Sequence, residues 1–297
     1  MIKSIEVTNH LNDRLTIDMG NPDYSAGFFI QSISGLGPVK ASINTTDYAA
    51  MDGSSFNSAR LPARNIVLRL GFLDFASPSI EEIRQSSYKF FPIKKQIKFT
   101  ITTDKRICEI YGHVENNEIE IFSKNEGSVI SILCPNPYFY SGNNVNSTVF
   151  YGVLDEFEFP FGNESVSESL ITMGSITNQQ EANVMYTGDV DTGITFAFYA
   201  RGAVSNISIY NVYTREEMHL NISLIADDEL FISTVKGDKY ITLLRNGAYY
   251  NYLSALDIDN SSWFQISKGD NVFAYTAEEG VNTLQLKVLN KILYEGI

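Results

Sequence analysis

The residues of this chain with the chemistry to bind or catalyse are three histidines, two cysteines and a few closely spaced carboxylates. Asp189-Val190-Asp191 and Asp257-Ile258-Asp259-Asn260 each offer hard oxygen ligands of the kind calcium takes. Their neighbours read as turns rather than as a ligand cage, so no structural metal is expected there. His10, His113 and His219 lie far apart, and Cys108 and Cys134 belong to no C-x-x-C pair, so no zinc spacing is present. Both cysteines are expected as free, buried thiols. Asp227-Asp228-Glu229 reads as a solvated turn ahead of a strand at 230–233. Gly35-Leu36-Gly37-Pro38 has two glycines of a phosphate loop, but its proline removes an amide donor such a loop needs, so it reads as a turn. There is no G-x-S-x-G elbow, H-E-x-x-H helix, P-loop or EF-hand loop. No pair of carboxylates is singled out for glycoside hydrolysis. A non-enzymatic protein is expected, with no catalytic residue, no metal and no cofactor.

The elements around these residues alternate with period two. Ile66, Leu68, Leu70 and Phe72 share one strand face, as do Ile97, Phe99 and Ile101. Ile194, Phe196 and Phe198, then Met218, Leu220, Ile222 and Leu224, then Leu284, Leu286 and Val288 repeat the pattern. Such alternation marks half-buried antiparallel strands. Asn246-Gly247, between two apolar runs, predicts a tight hairpin, because both turn positions need positive φ. Asn116-Asn117 predicts another, between strands at 110–114 and 119–122. One helix is expected: Ser79 and Glu82 have capping-box spacing, Pro78 precedes them, and Pro92 stops the run. Ile80, Ile83, Tyr88 and Phe91 fall on its buried side.

At 297 residues the chain is long enough for about two domains. No apolar run reaches the roughly 20 residues of a membrane helix, and no signal-peptide core follows Met1, so neither membrane insertion nor export is expected. The net charge of −13 argues against binding nucleic acid through its phosphates. The charge is uneven. Residues 1–140 hold 14 basic and 15 acidic side chains, net −1; residues 141–297 hold 8 and 20, net −12. A near-neutral half tolerates contact with its own copies, whereas an acidic half repels them. The polar stretch after Pro137-Tyr138-Phe139-Tyr140 is the expected boundary, giving domains at 1–141 and 142–297.

Several ordered landmarks resemble one family. In the first half they are Asp52-Gly53-Ser54, then Arg60-Leu61-Pro62-Ala63-Arg64, the strand at 65–72, the capped helix, the strand at 95–103, Gly112-His113-Val114 and Cys134-Pro135-Asn136-Pro137. In the second half they are Tyr186-Thr187-Gly188-Asp189, Ile209-Tyr210-Asn211-Val212, the stretch at 224–232, Ser262-Trp263-Phe264 and Gly269-Asp270-Asn271. In this order and spacing the chain resembles the distal tail proteins of long-tailed bacteriophages (siphophages). Arg201-Gly202-Ala203-Val204 departs from the glycine-proline turn frequent there.

The resemblance implies an all-β fold with one helix and two β-sandwich domains, the second galectin-like. It implies a ring of six formed by the first domain, with a projecting hairpin, here placed at Val114, Asn116, Asn117 and Ile119 as subunit contacts. The implied role is a structural hub in the virion tail tip, made in the host bacterial cytoplasm. The implied partners are the tail tube protein, a tail-associated baseplate or tail-tip protein, and, as a further candidate, the tape measure protein. The competing reading is a carbohydrate-binding, lectin-like tail module for host adsorption, with Trp263 as the obvious stacking platform. Beside Phe264, Trp263 reads equally as a core or rim residue.

Overall fold

The computed structural model describes residues 1–19, 26–49, 52–73, 78–120, 126–142, 145–155 and 174–297. The chain divides into two units. Unit 1 is Met1–Asn144 with Leu293–Ile297, and unit 2 is Val145–Ile292. The last five residues therefore belong to unit 1, which a second domain running from 142 to 297 did not allow for. Their return depends on pairing partners more than 150 positions upstream, which no local pattern announces. Among the described residues the fold is β throughout, apart from one α-helix and short 3-10 turns.

Unit 1 opens with the hairpin of β1 (Ile2–Thr8) and β2 (Arg14–Asp18). β3 (Phe28–Ser34) follows, then β4 (Ser42–Asp47) and β5 (Ser54–Arg60). After these come β6 (Arg64–Phe72), β7 (Gln96–Thr103), β8 (Ile107–Glu120), β9 (Gly127–Cys134) and β10 (Phe139–Ser141). The main sheet is antiparallel, in the order β2-β1-β7-β8-β9-β6-β3. β8 is 14 residues long. Its first half pairs with β7, and its other edge takes β10 and then β9. The final strand of the chain, Leu293–Tyr294, adds to β10. The outermost strands β2 and β3 meet, so the sheet curls around one core as two layers would.

The expected alternation fills that core. Ile66, Leu68, Leu70, Ile97, Phe99, Ile101, Ile130 and Ile132 are all buried. Cys108 and Cys134 are buried inside it and form no disulfide. Burial pushes the Cys134 thiol up to about 11, against the opposing pull of the Arg64 charge.

Helix α1 (Ile80–Phe90) begins on the expected box. Glu82 N donates to Ser79 Oγ at 3.4 Å, and Ser79 N donates to Glu82 Oε2 at 2.7 Å. Its buried stripe differs from expectation. Tyr88 is 48% exposed, and the stripe is Ile83, Ser87 and Phe91, each four residues on. Phe91 reaches Phe99 of β7, with ring centroids 6.5 Å apart. Gly27 lets the chain pass this helix: its φ is +75°, and a Cβ there would lie 2.4 Å from Ile83.

Unit 2 contains β11 (Asn146–Val149), β12 (Tyr151–Asp155), β13 (Gly174–Asn178), β14 (Glu181–Tyr186), β15 (Thr195–Ala200) and β16 (Val204–Asn211). It continues with β17 (Glu217–Leu224), β18 (Glu229–Ser233), β19 (Tyr240–Arg245), β20 (Ala248–Asn251), β21 (Gly269–Glu279) and β22 (Leu284–Asn290). Two antiparallel sheets form, β11-β22-β15-β18-β19-β20 and β14-β21-β16-β17, while β12 and β13 pair with each other. Aromatic rings join the two sheets. Phe196 of β15 lies 5.4 Å from Phe273 of β21, and Phe198 lies 5.7 Å from Tyr275, both edge to face. This is a β-sandwich. Asn246 and Gly247 have φ of 53° and 76°, as the β19–β20 hairpin requires.

Candidate functional site

Among the described residues β4 and β5 pair only with each other. Nearly every residue of the two strands is exposed, and Ser55 alone is half-buried. Ile43 is 63% exposed, Phe56 66% and Tyr48, just past β4, 55%. The polar contacts along this arm are internal: Ser55 Oγ donates to Tyr48 Oη at 3.2 Å, and Asn57 Nδ2 to Thr46 Oγ1 at 2.7 Å. A lone two-stranded hairpin is marginal in water. An arm that also shows two large apolar side chains and a tyrosine to solvent has the composition of a surface that is covered in an assembly.

The residues expected to form a projecting hairpin lie elsewhere. Asn116 and Asn117 are not a turn but mid-strand positions of β8, opposite Ser131 and Ile130 of β9. A bulge between Val114 and Asn116 absorbs the irregularity, and Ser128 Oγ bonds across the ladder to Asn117 Oδ1. β8 ends at Glu120 and β9 begins at Gly127, and residues 121–125 lie outside the described residues. Val114 is 1% exposed and belongs to the core of unit 1. Ile119 is half-buried and Asn116 exposed.

Sequence reasoning also missed the buried centre of unit 1. Arg64, first in β6, is 2% exposed, yet all its recorded partners are neutral. Nε donates to Pro137 O at 2.7 Å, Nη1 to Gly35 O and Gly37 O at 2.5 Å each, and Nη2 to Glu295 O at 2.6 Å. Its guanidinium lies 4.5 Å from the Phe139 ring centroid. Burial lowers its pKa from the ordinary value. The Gly35-Leu36-Gly37-Pro38 turn is thus an acceptor cradle. Gly35 sits at φ +85°, where a Cβ would meet Asn65 O at 2.1 Å. Ile297 N donates to Leu36 O, and Arg106 stacks over Tyr294 at 4.4 Å, so the chain end is held on several sides.

Asp228 is the second correction. It is not solvated but 1% exposed. Arg245 of β19 grips it with Nε to Oδ1 at 2.9 Å and Nη2 to Oδ2 at 2.5 Å, and Ile225 N adds a bond at 2.8 Å. Burial pushes this carboxyl up, but the Arg245 and Ile225 bonds outweigh it, and the net pKa is lowered. The β18–β19 ladder pairs Glu229 with Leu244, which sets Asp228 beside Arg245; a register, not a motif, carries that signal.

Among the described residues, no cluster of three or more ligand-type side chains could hold a metal. Asp189 is 3.6 Å from Lys268 Nζ, and Asp257 accepts from Asn260 Nδ2 at 2.9 Å. Trp263 is half-buried, with Lys239 Nζ 4.8 Å from its ring, so one face is already covered by a cation. His219 is held between Ser208 and Glu217 at 2.8 and 3.0 Å.

Residues 187–288, within unit 2, match the family model described as siphovirus-type tail component, C-terminal domain. Among solved structures, the chain is similar to the SPP1 Dit protein, described as a paradigm of hub adsorption apparatus in Gram-positive infecting phages. That match has a TM-score of 0.66 at 12% identity and covers 98% of this chain and 100% of that one. It is also similar to a chain of the phage P2 baseplate in its activated conformation with Ca, with a TM-score of 0.50 at 11% identity and 98% of each chain covered. A comparison with curated protein sequences finds no match.

Proposed function

We propose that this chain, whose residues 187–288 carry the C-terminal domain of the siphovirus-type tail component, is the hub protein of a siphophage tail tip. The observation that carries this reading is end-to-end fold likeness to a hub protein, 98% of this chain against 100% of SPP1 Dit, with the family match inside unit 2. The role is structural: a ring of six copies in the virion, between the tail tube protein and a baseplate or tail-tip protein, with the tape measure protein as a further neighbour. The sandwich of unit 2 is read as galectin-like.

The β4–β5 arm supports self-assembly. It leaves Ile43, Tyr48 and Phe56 in water and finds no third strand among the described residues. In a ring, the arm lies on the next copy and buries these side chains. Unit 1 suits such contact electrostatically: it holds 14 basic and 16 acidic residues, net −2, against 8 and 19 in unit 2, net −11.

Light scattering on the full chain after gel filtration tests this. The expected mass is six times 33.3 kDa. Ile43→Ser with Phe56→Ser should shift the population to monomer with the unfolding midpoint unchanged, because exposed substitutions alter stability by only about 0.5 kcal/mol. A monomer at all concentrations, together with native tails that contain no ring, would discard the hub reading. A ring indifferent to both substitutions would discard the arm's part in it.

A further inference from the structure

The outer face of the β14-β21-β16-β17 sheet carries a groove of about 470 Å³. That is within the roughly 300–1,000 Å³ of small-molecule sites. Strand register builds it. Thr276 of β21, Ser208 of β16 and His219 of β17 form one row across three strands. Short side chains at Ser208 and Thr276 keep the floor low, while Ile207 and Leu220 point their bulk into the core.

The walls are polar and held. A bulge between Ser205 and Ile207 puts Asn206 at φ +48°, and its Nδ2 donates to Glu278 Oε2 at 2.5 Å. Bulges re-aim side chains at sites in this way. The imidazole of His219 is fixed at both nitrogens by Ser208 and Glu217, with the Tyr210 ring edge-on at 6.3 Å. Asp257 forms the rim beside β17, held by its own N–H to His219 O at 3.0 Å. The side chains of Asn221 and Thr276 line the groove with no hydrogen-bond partner among the described residues.

We infer that this groove binds a neutral, hydroxyl-rich sugar. The lining contains no lysine or arginine, and Asp257 and Glu278 repel anions. It offers little apolar surface to a hydrophobic ligand. A sugar hydroxyl both donates and accepts, and the lining supplies both kinds of partner: carboxylates to receive, amides and hydroxyls for either role. The inference stands apart from the hub reading, since it concerns unit 2 alone. It also moves the sugar platform away from Trp263, whose face Lys239 occupies.

The test is saturation-transfer NMR on the full chain with three probes: methyl β-galactoside, methyl β-glucoside and methyl N-acetyl-β-glucosaminide. At least one should receive saturation, and the corresponding methyl β-glucuronide, an anion, should not. The combined variant Asn221→Ala, Asp257→Ala and Glu278→Ala should lower the signal at least about fivefold while the unfolding midpoint stays within a few degrees, since Asn221 and Glu278 are exposed and Asp257 is half-buried. If that variant unfolds, Asn221→Ala alone is read in the same way. No saturation of any neutral probe, a signal that survives the variants, or spermidine binding in place of the sugars would overturn the proposal; the last would make the groove a cation surface.

Discussion

Among the described residues each unit buries one charged side chain, and they solve the problem differently. In unit 2 the Asp228 carboxylate meets a counter-charge, Arg245, brought by the neighbouring strand of the same hairpin. In unit 1 the Arg64 guanidinium meets carbonyl dipoles, drawn from residues 35, 37, 137 and 295, and the face of the Phe139 ring, but no counter-charge among the described residues. A local ion pair needs a single register to form. A cage of carbonyls needs three distant backbone segments in place at once, so Arg64 reports on the completion of unit 1. Breaking a buried charged group's contacts is costly in either case, but the two costs respond to different perturbations.

The largest effect is expected from Arg64→Met. It leaves four carbonyls facing an apolar side chain, for about 4 kcal/mol. Urea unfolding followed by far-UV circular dichroism should show the unit 1 transition at lower denaturant. Trp263, the chain's one tryptophan, lies in unit 2, so its fluorescence transition should stay put. If the two signals shift together, the units do not unfold independently and the contrast fails. Removing residues 293–297 should act on the same transition with about 3 kcal/mol, because it takes away the Glu295 acceptor and the Tyr294 packing but leaves three carbonyls on Arg64.

Asp228→Asn should weaken unit 2 by about 2 kcal/mol at neutral pH, read by Trp263 fluorescence. Here acid separates the two solutions. The folded-state pKa of Asp228 lies below its unfolded value of about 3.9. Its contribution is therefore present above that value and is lost as pH falls through the folded pKa. The difference between wild type and Asp228→Asn should shrink below about pH 4, whereas the cost of Arg64→Met, whose recorded partners are all backbone carbonyls, should not follow that titration. An Asp228→Asn penalty that is flat from pH 7 to pH 3 would show that the carboxylate's charge contributes nothing.

What could be read from the amino acids alone was what depends on near neighbours. The Ser79–Glu82 box closes over three residues, and the Asn246-Gly247 turn over two, so both are local decisions. The alternation at 66–72 and 218–224 is also local and was legible as strands. Asn116-Asn117 shows the limit. The pair is compatible with a turn, but thirteen further residues of β8 and β9 register override it with a ladder and a bulge. Tyr88 was misplaced because a helix's buried stripe depends on what it packs against, here Phe99 and the Gly27 passage. Asp228 and Arg64 were invisible for a related reason: their partners lie 17 and up to 231 positions away. The arm was absent from the reading because nothing in 42–60 distinguishes a paired strand from one left without a third.

The return of the chain end to β10 has a consequence for biosynthesis. Nascent domains generally fold in the order in which they leave the ribosome. Unit 2, all of 145–292, is synthesised before Leu293–Ile297 exists. Unit 1 is thus begun first and finished last. Arg64 is made early and waits for Glu295, 231 positions downstream. The neighbouring unit has by then had time to form its own sandwich. The N-terminal sheet can close only after residues 293–297 have been made, so the completed Arg64 cage marks a chain whose second unit has already been synthesised.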